Sequence, residues 1–110
     1  MKRNGQGNGN RSIEDDQAPK HKYHLRLFVT GQTPRSLRSI ENLRLFCERH
    51  LKGRYDLEVV DIYQQPSLAS ENQIIAAPTL IKKLPLPLRR LVGDLSDSDR
   101  VILGLDLKIA

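Results

Sequence analysis

The chain has 110 residues and carries 18 Lys plus Arg against 13 Asp plus Glu, a formal net charge of +5. That length supports one ordinary core, and no apolar run approaches the roughly 20 residues that a membrane span needs. A single cysteine, Cys47, excludes an internal disulfide, a Cys-x-x-Cys redox pair and a cysteine-rich zinc site.

Residues 1–22 hold only Met1, Ile13 and Ala18 as hydrophobic residues, and residues 1–10 read MKRNGQGNGN. Such a stretch cannot offset its ordering entropy, so a disordered polar leader over 1–22 and a folded domain over 23–110 are expected. The leader has no apolar stretch of signal-peptide kind, and a cytoplasmic protein without a membrane partner is the plain reading. Five of the 18 positive residues, Lys2, Arg3, Arg11, Lys20 and Lys22, lie in the leader, against Glu14, Asp15 and Asp16. The remainder is only mildly basic, and aromatics are 5% of the chain with no tryptophan. A single-strand nucleic-acid binder needs stacking platforms beside its cations, so no nucleic-acid partner is expected.

Leu25-Arg26-Leu27-Phe28-Val29 reads as a strand that turns apolar on both faces, as in a sheet covered by helices. Thr33 followed by Pro34 marks a helix start, a hydroxyl cap and then a proline preset for the first turn. Leu37, Ile40, Leu43, Cys47 and Leu51 form the expected inward stripe, and Gly53 the stop. The other face carries Arg35, Arg38, Glu41, Arg44, Glu48 and Arg49, for the most part a solvated face with i,i+3 ion pairs. Leu57–Ile62 is a second strand, and a crossover of this length predicts parallel neighbours. A short helical turn follows from Pro66 to about Asn72. The apolar run 74–81 is interrupted by Pro78, which fits a strand start or a bend. Pro85 and Pro87 suit an extended connector, 88–92 a last strand, and Gly93-Asp94 its end. Ser96-x-x-Asp99 has the form of a capping box before a final helix lined by Val101, Ile102, Leu105 and Ile109.

Little here points to catalysis. His21, His24 and His50 have no metal-ligand spacing. Gly31 lacks the further glycines of a phosphate-cradling turn. A thioredoxin-type enzyme places two cysteines where this chain has Gly31-Gln32-Thr33-Pro34, so neither enzymatic activity nor a cofactor or metal is expected. Cys47, on the inward stripe, reads as a small core hydrophobe.

Three segments together identify a family resemblance. They are Leu27-Phe28-Val29-Thr30-Gly31-Gln32-Thr33-Pro34-Arg35-Ser36, Ala77-Pro78-Thr79-Leu80, and Arg89-Arg90-Leu91-Val92-Gly93-Asp94-Leu95-Ser96. With 101–107 they make residues 23–107 resemble the KaiB family of bacterial circadian clock proteins. The same domain occurs at the front of clock-linked sensor histidine kinases, and the stand-alone protein is the better match. The resemblance implies an α/β, thioredoxin-like fold of order β-α-β-α-β-β-α. A second fold of the same sequence rearranges the C-terminal half into a tetramer, so a homo-oligomer is expected. It implies a non-enzymatic adaptor that binds a KaiC-type ATPase, modulates its phosphorylation cycle, and engages KaiA or competes with the sensor kinase.

Partner contacts are carried over to Arg38 and to Arg89 and Arg90, with Arg35 beside them, because exposed guanidinium groups make bidentate carboxylate contacts. Structural or fold-switching roles fall on Pro78, expected to be cis, and on Gly93, Asp94, Gly104 and Asp106. For Gly104 simple close packing is an equal alternative. Glu58 and Gln73 stand where lysines are usual, and Glu58 would repel an acidic partner patch. These departures leave open a divergent KaiB-like protein in stress response or signalling without KaiA. A degenerate redox protein using Cys47 is the enzymatic alternative.

Overall fold

The computed structural model describes residues 22–74 and 77–108. Their chain order is β1 (Tyr23–Val29), α1 (Pro34–His50), β2 (Tyr55–Asp61), α2 (Pro66–Glu71), β3 (Thr79–Leu84), β4 (Arg89–Val92) and α3 (Ser98–Gly104). This is the β-α-β-α-β-β-α order expected of a thioredoxin-like chain. The four strands form one sheet ordered β2-β1-β3-β4. β1 runs parallel to β2, with Leu27 opposite Val59, and antiparallel to β3, with Leu27 opposite Leu80. β3 and β4 are antiparallel, with Leu80 opposite Leu91. Residues 1–21 of the expected leader lie outside the described residues, as do Ile75, Ala76, Ile109 and Ala110.

β1 explains the layering. Successive side chains of a strand point to opposite faces, so Tyr23, Leu25, Leu27 and Val29 face one layer and Phe28 the other. The first set packs with Leu43, Phe46, Cys47 and Leu51 of the α1 region and with Val101 and Leu105 at α3. On the opposite face Phe28, Val60 and Ile81 form a smaller cluster covered by Ile62, Leu68 and Ile74. Each of these side chains contributes about 1.5–3 kcal/mol when fully buried, so loss of either face is severe.

Several boundaries differ from expectation for local reasons. β1 starts at Tyr23, whose N–H donates to the Arg54 carbonyl at 2.8 Å and whose Oη accepts the Lys108 N–H at 2.7 Å. The inward stripe of α1 does not include Leu37, which is 51% exposed, while Ser36 and Ser39 are buried. The first turn of α1 abuts the polar turn after β1, where Ser36 Oγ accepts the Thr30 N–H at 3.0 Å. A leucine has no apolar neighbour to meet there. α1 is capped as expected, with the Thr33 hydroxyl accepting the Ser36 N–H at 3.2 Å. It ends at His50 with the buried Leu51 as its C-cap, and Gly53 then takes the positive φ of 76° that a glycine allows.

The Ser96 capping box is not formed. Ser96 donates its N–H to Asp94 Oδ1 at 3.1 Å, and the cap shifts to Asp97, which accepts the Arg100 N–H at 3.2 Å. α3 runs to Gly104, with Leu105 as C-cap. Pro78 lies immediately before β3, and its peptide bond is cis, as expected; the Leu84–Pro85 and Leu86–Pro87 bonds are cis as well.

One charge is built into the larger core face. Lys82 is 1% exposed. Burial lowers its pKa from the ordinary value; Asp106 acts to raise it, whereas Arg89 and Lys108 lower it further. A lysine whose pKa falls on folding binds its proton less tightly in the folded chain than in the unfolded one. Stability therefore rises with pH between the lowered folded value and the ordinary value of 10.5. Lys82→Met keeps the stem and removes the charge. It is expected to raise unfolding free energy by about 1 kcal/mol near neutral pH and to flatten the alkaline rise. Urea unfolding at a series of pH values checks this; an unchanged midpoint and slope would contradict it.

Candidate functional site

The edge where β1 and β2 end and β3 begins gathers most of the residues singled out from the sequence. Here the turn after β1 is fastened from two sides. Asp61 Oδ1 accepts the Gly31 N–H at 3.2 Å and the Tyr63 N–H at 2.9 Å, joining the turns after β1 and β2. The Thr33 hydroxyl donates to Ser36 Oγ at 2.9 Å and closes the entry to α1. This network fixes the direction in which the first turns of α1 project their exposed arginines.

Arg35 and Arg38 are exposed on those turns. Their charges act on Asp94, across from α1 at the end of β4. Ser96, through hydroxyl and N–H, holds the Asp94 carboxyl below the ordinary carboxylate range; burial opposes this, and the charges of Arg38 and Arg35 add smaller contributions in the same direction as Ser96. Asp94 is fixed through its backbone as well, because the Asn42 side-chain amide donates to its carbonyl at 2.8 Å. Gly93, at φ 141°, donates its N–H to the Pro78 carbonyl at 3.1 Å. That φ is one that L side chains rarely adopt, so the turn at this position depends on glycine. Arg35, Arg38, Asp94, Gly93 and Pro78 thus share one edge.

Arg89 and Arg90 do not join them. Adjacent strand residues face opposite sides of a sheet. Arg89 lies opposite Lys82, on the larger core face and at the far end of β4. Arg90 lies on the α2 side, where its guanidinium donates to the Asn72 carbonyl at 2.6 Å and the Gln73 carbonyl at 3.0 Å. It caps the carbonyl end of α2 and ties β4 to it. Glu58 is also engaged, accepting from Arg26 Nε at 2.8 Å. Gly104 packs closely: a Cβ there would stand 3.3 Å from Leu91 Cδ1. Asp106 follows α3 as counter-charge to Lys82 and pairs with Lys108 Nζ at 3.3 Å.

Two features escaped the sequence reading. Tyr63 is 72% exposed and lies against the fastened turn, with its ring carbons 3.6 and 3.8 Å from where a Gly31 Cβ would be. An aromatic residue directly after a strand is the signal that could have marked it. Asp61, the clasp, carries no mark in the sequence that sets it apart from other carboxylates.

Cys47 sits in the core. It is fully buried, and burial, with a contribution from Glu48, pushes the thiol up to about 12. Among the described residues no group of three or more His, Cys, Asp or Glu side chains is suited to a metal ion, and no helix is long and apolar enough to cross a membrane.

Residues 26–107 match the KaiB domain family. A protein of a Synechococcus strain named circadian clock oscillator protein KaiB is 50% identical over 90 residues, covering 82% of this chain and 76% of that one. A Prochlorococcus marinus protein of the same name is also 50% identical over 90 residues, covering 82% and 86%. Among solved structures, the N-terminal domain of Synechococcus elongatus SasA aligns with a TM-score of 0.66 and 23% identity over 91% of this chain and 95% of that one. Mitochondrial thioredoxin 3 of Saccharomyces cerevisiae aligns with a TM-score of 0.64 and 16% identity over 80% and 81%. These two likenesses establish a thioredoxin-like fold.

Native alkylation separates the redox reading from the packing one. From its raised pKa, the thiolate fraction of Cys47 at a given pH is about a thousand-fold lower than for a thiol at 9.0. Iodoacetamide labelling of the folded chain is expected to proceed at the rate of unfolding and to become rapid only in denaturant. Rapid labelling in the native state would contradict this.

Proposed function

The chain belongs to the KaiB family, and on that premise we propose that it is a non-enzymatic adaptor of a clock system that binds a KaiC-type ATPase and modulates its phosphorylation cycle. The reading is carried by the family match over 26–107 taken with one placement: Arg35 and Arg38 stand exposed at the fastened start of α1, facing outward beside Asp94. Guanidinium groups held at a rigid helix start suit an acidic partner surface, since less conformational freedom is lost when they bind carboxylates. Tyr63 borders the same edge and adds a large amphipathic contact of the kind that anchors interfaces. Asp94 sets the limit of the patch by opposing its charge. Arg89 and Arg90 fall outside this surface, so the partner site we propose is narrower than the four arginines of the sequence reading.

The second fold implied by the family resemblance also belongs to this proposal. Gln73, Leu95 and Asp106 have positive φ of 56°, 65° and 55°. All three bound elements of the second half of the chain, after α2, before α3 and after α3. Non-glycine residues in this region cost of order 1 kcal/mol or more each, which narrows the gap to a competing packing of that half. The resting oligomer then follows from which packing is populated.

Binding is tested with the KaiC-type ATPase from the same genome, following complex formation by size-exclusion chromatography over a day. The native chain is expected to form a complex, and Arg38→Glu to weaken it about ten-fold or more through charge reversal against carboxylates. No complex in any nucleotide or phosphorylation state would contradict the assignment. For the competing fold, Gly104→Ala is expected to raise the population of the present fold, as alanine favours a helix over glycine by about 1 kcal/mol and Leu91 has only to shift one methyl. Equal populations of the two variants by NMR would remove Gly104 from the switch.

A further inference from the structure

The sheet edge opposite the proposed partner site carries a feature that function does not use. β3 and β4 are joined by Leu84-Pro85-Leu86-Pro87-Leu88, and Leu84, Leu86 and Leu88 are 48%, 73% and 52% exposed. None of the three belongs to either core cluster. Three exposed leucines on alternate positions of one turn form an apolar tip rather than a scattered surface residue. Pro85 and Pro87 have no N–H, so the tip has few backbone donors that would lose water on entering an apolar medium.

The surroundings of this tip are cationic. Lys83 and Arg89 flank it directly. The same edge receives Lys22 at the start of β1, Lys52 and Arg54 on the way into β2, and Lys108 after α3, whose N–H bonds to Tyr23. Against these six stand Asp56, Glu58 and Asp106; Asp56 and Asp106 pair with Lys22 and Lys108 at 3.3 Å each, and Glu58, which lines one cavity with Lys83 and Leu84, pairs with Arg26 at 2.8 Å. Lys83 and Arg89, beside the leucines, carry no carboxylate partner within salt-bridge distance among the described residues.

We propose that this tip docks on an anionic lipid surface, with Leu84, Leu86 and Leu88 entering the headgroup–acyl boundary and Lys83 and Arg89 meeting the lipid phosphates. A projecting apolar turn suits a deformable apolar medium, whereas a protein partner has to offer a matching pocket. The absence of a spanning segment, which leads the sequence to suggest no membrane partner, does not bear on a surface contact. Lying on a surface needs only a small apolar insertion and a cationic rim. The proposal is independent of the α1 surface, as Arg35 and Arg38 are at the other edge.

The test is flotation of the full chain with vesicles of phosphatidylcholine, with and without phosphatidylglycerol. The chain is expected to float with the anionic vesicles and not with phosphatidylcholine alone, and added salt is expected to release it. Lys83→Gln and Arg89→Gln should each lower the partition coefficient about five-fold. Leu86→Ser should abolish flotation while the circular dichroism of the folded chain is retained. Because the chain has no tryptophan, Leu86→Trp gives a single reporter whose emission should shift to the blue on anionic vesicles. Flotation unaffected by Leu86→Ser, or a Leu86→Trp emission that does not move, would overturn the insertion. If no vesicle binds and Leu86→Ser instead lowers the oligomeric state by light scattering, the tip is a contact between copies and the lipid proposal fails.

Discussion

β1 has to be apolar on both sides of one strand, and the rest of the structure follows from that constraint. It lies between a parallel and an antiparallel neighbour, so its backbone groups are consumed in the sheet and its two faces each need a cover. α1 and α3 meet one face and α2 the other. A slip of one residue would exchange the two layers and turn His24 and Arg26 toward the larger core, so the pattern of β1 holds its register. Holding β1 in register also determines where its end lies. The turn after it, clasped by Asp61 and by the Thr33–Ser36 cap, is where the first turns of α1 present Arg35 and Arg38.

Much of this was legible before any coordinates. Leu27-Phe28-Val29 announces a strand without a solvent face, Thr33-Pro34 a helix start, and the length between the strands a parallel crossover. Pro78 cannot sit inside a ladder, and β3 begins one residue later. The failures are as physical as the successes. Hydrophobic periodicity placed Leu37 inside because the pattern takes no account of what a helix end abuts, and here it abuts a polar turn that accepts only serine. The capping-box pattern at Ser96 matched a motif, but a neighbouring carboxylate, Asp94, had already engaged the Ser96 N–H.

The candidate site was less legible than the fold, for reasons of charge. Four arginines in two pairs look equivalent along the sequence. The pleat separates Arg89 from Arg90, a helix end takes up the second, and only the pair on α1 remains together at one edge. Lys82 could not be assigned to the core from its type, because a lysine between Ile81 and Lys83 looks like a solvent residue. Its burial beside Leu25 and Leu80 is a consequence of strand alternation, and the Asp106 carboxylate beyond α3 partly compensates it. Electrostatics thus bind the last segment of the chain to the middle of the sheet, while Tyr23 Oη and the Arg54 guanidinium hold the backbone of Lys108.

The measurement that addresses the central claim most directly is amide hydrogen exchange of the full chain, alone and in complex with the KaiC-type ATPase of the same genome. The account predicts new protection over residues 30–38 and 93–97, where α1 begins and the Gly93-Asp94 turn meets it, with the turn between β3 and β4 left unchanged. Protection confined to that turn or to β2, with none at the start of α1, would contradict it.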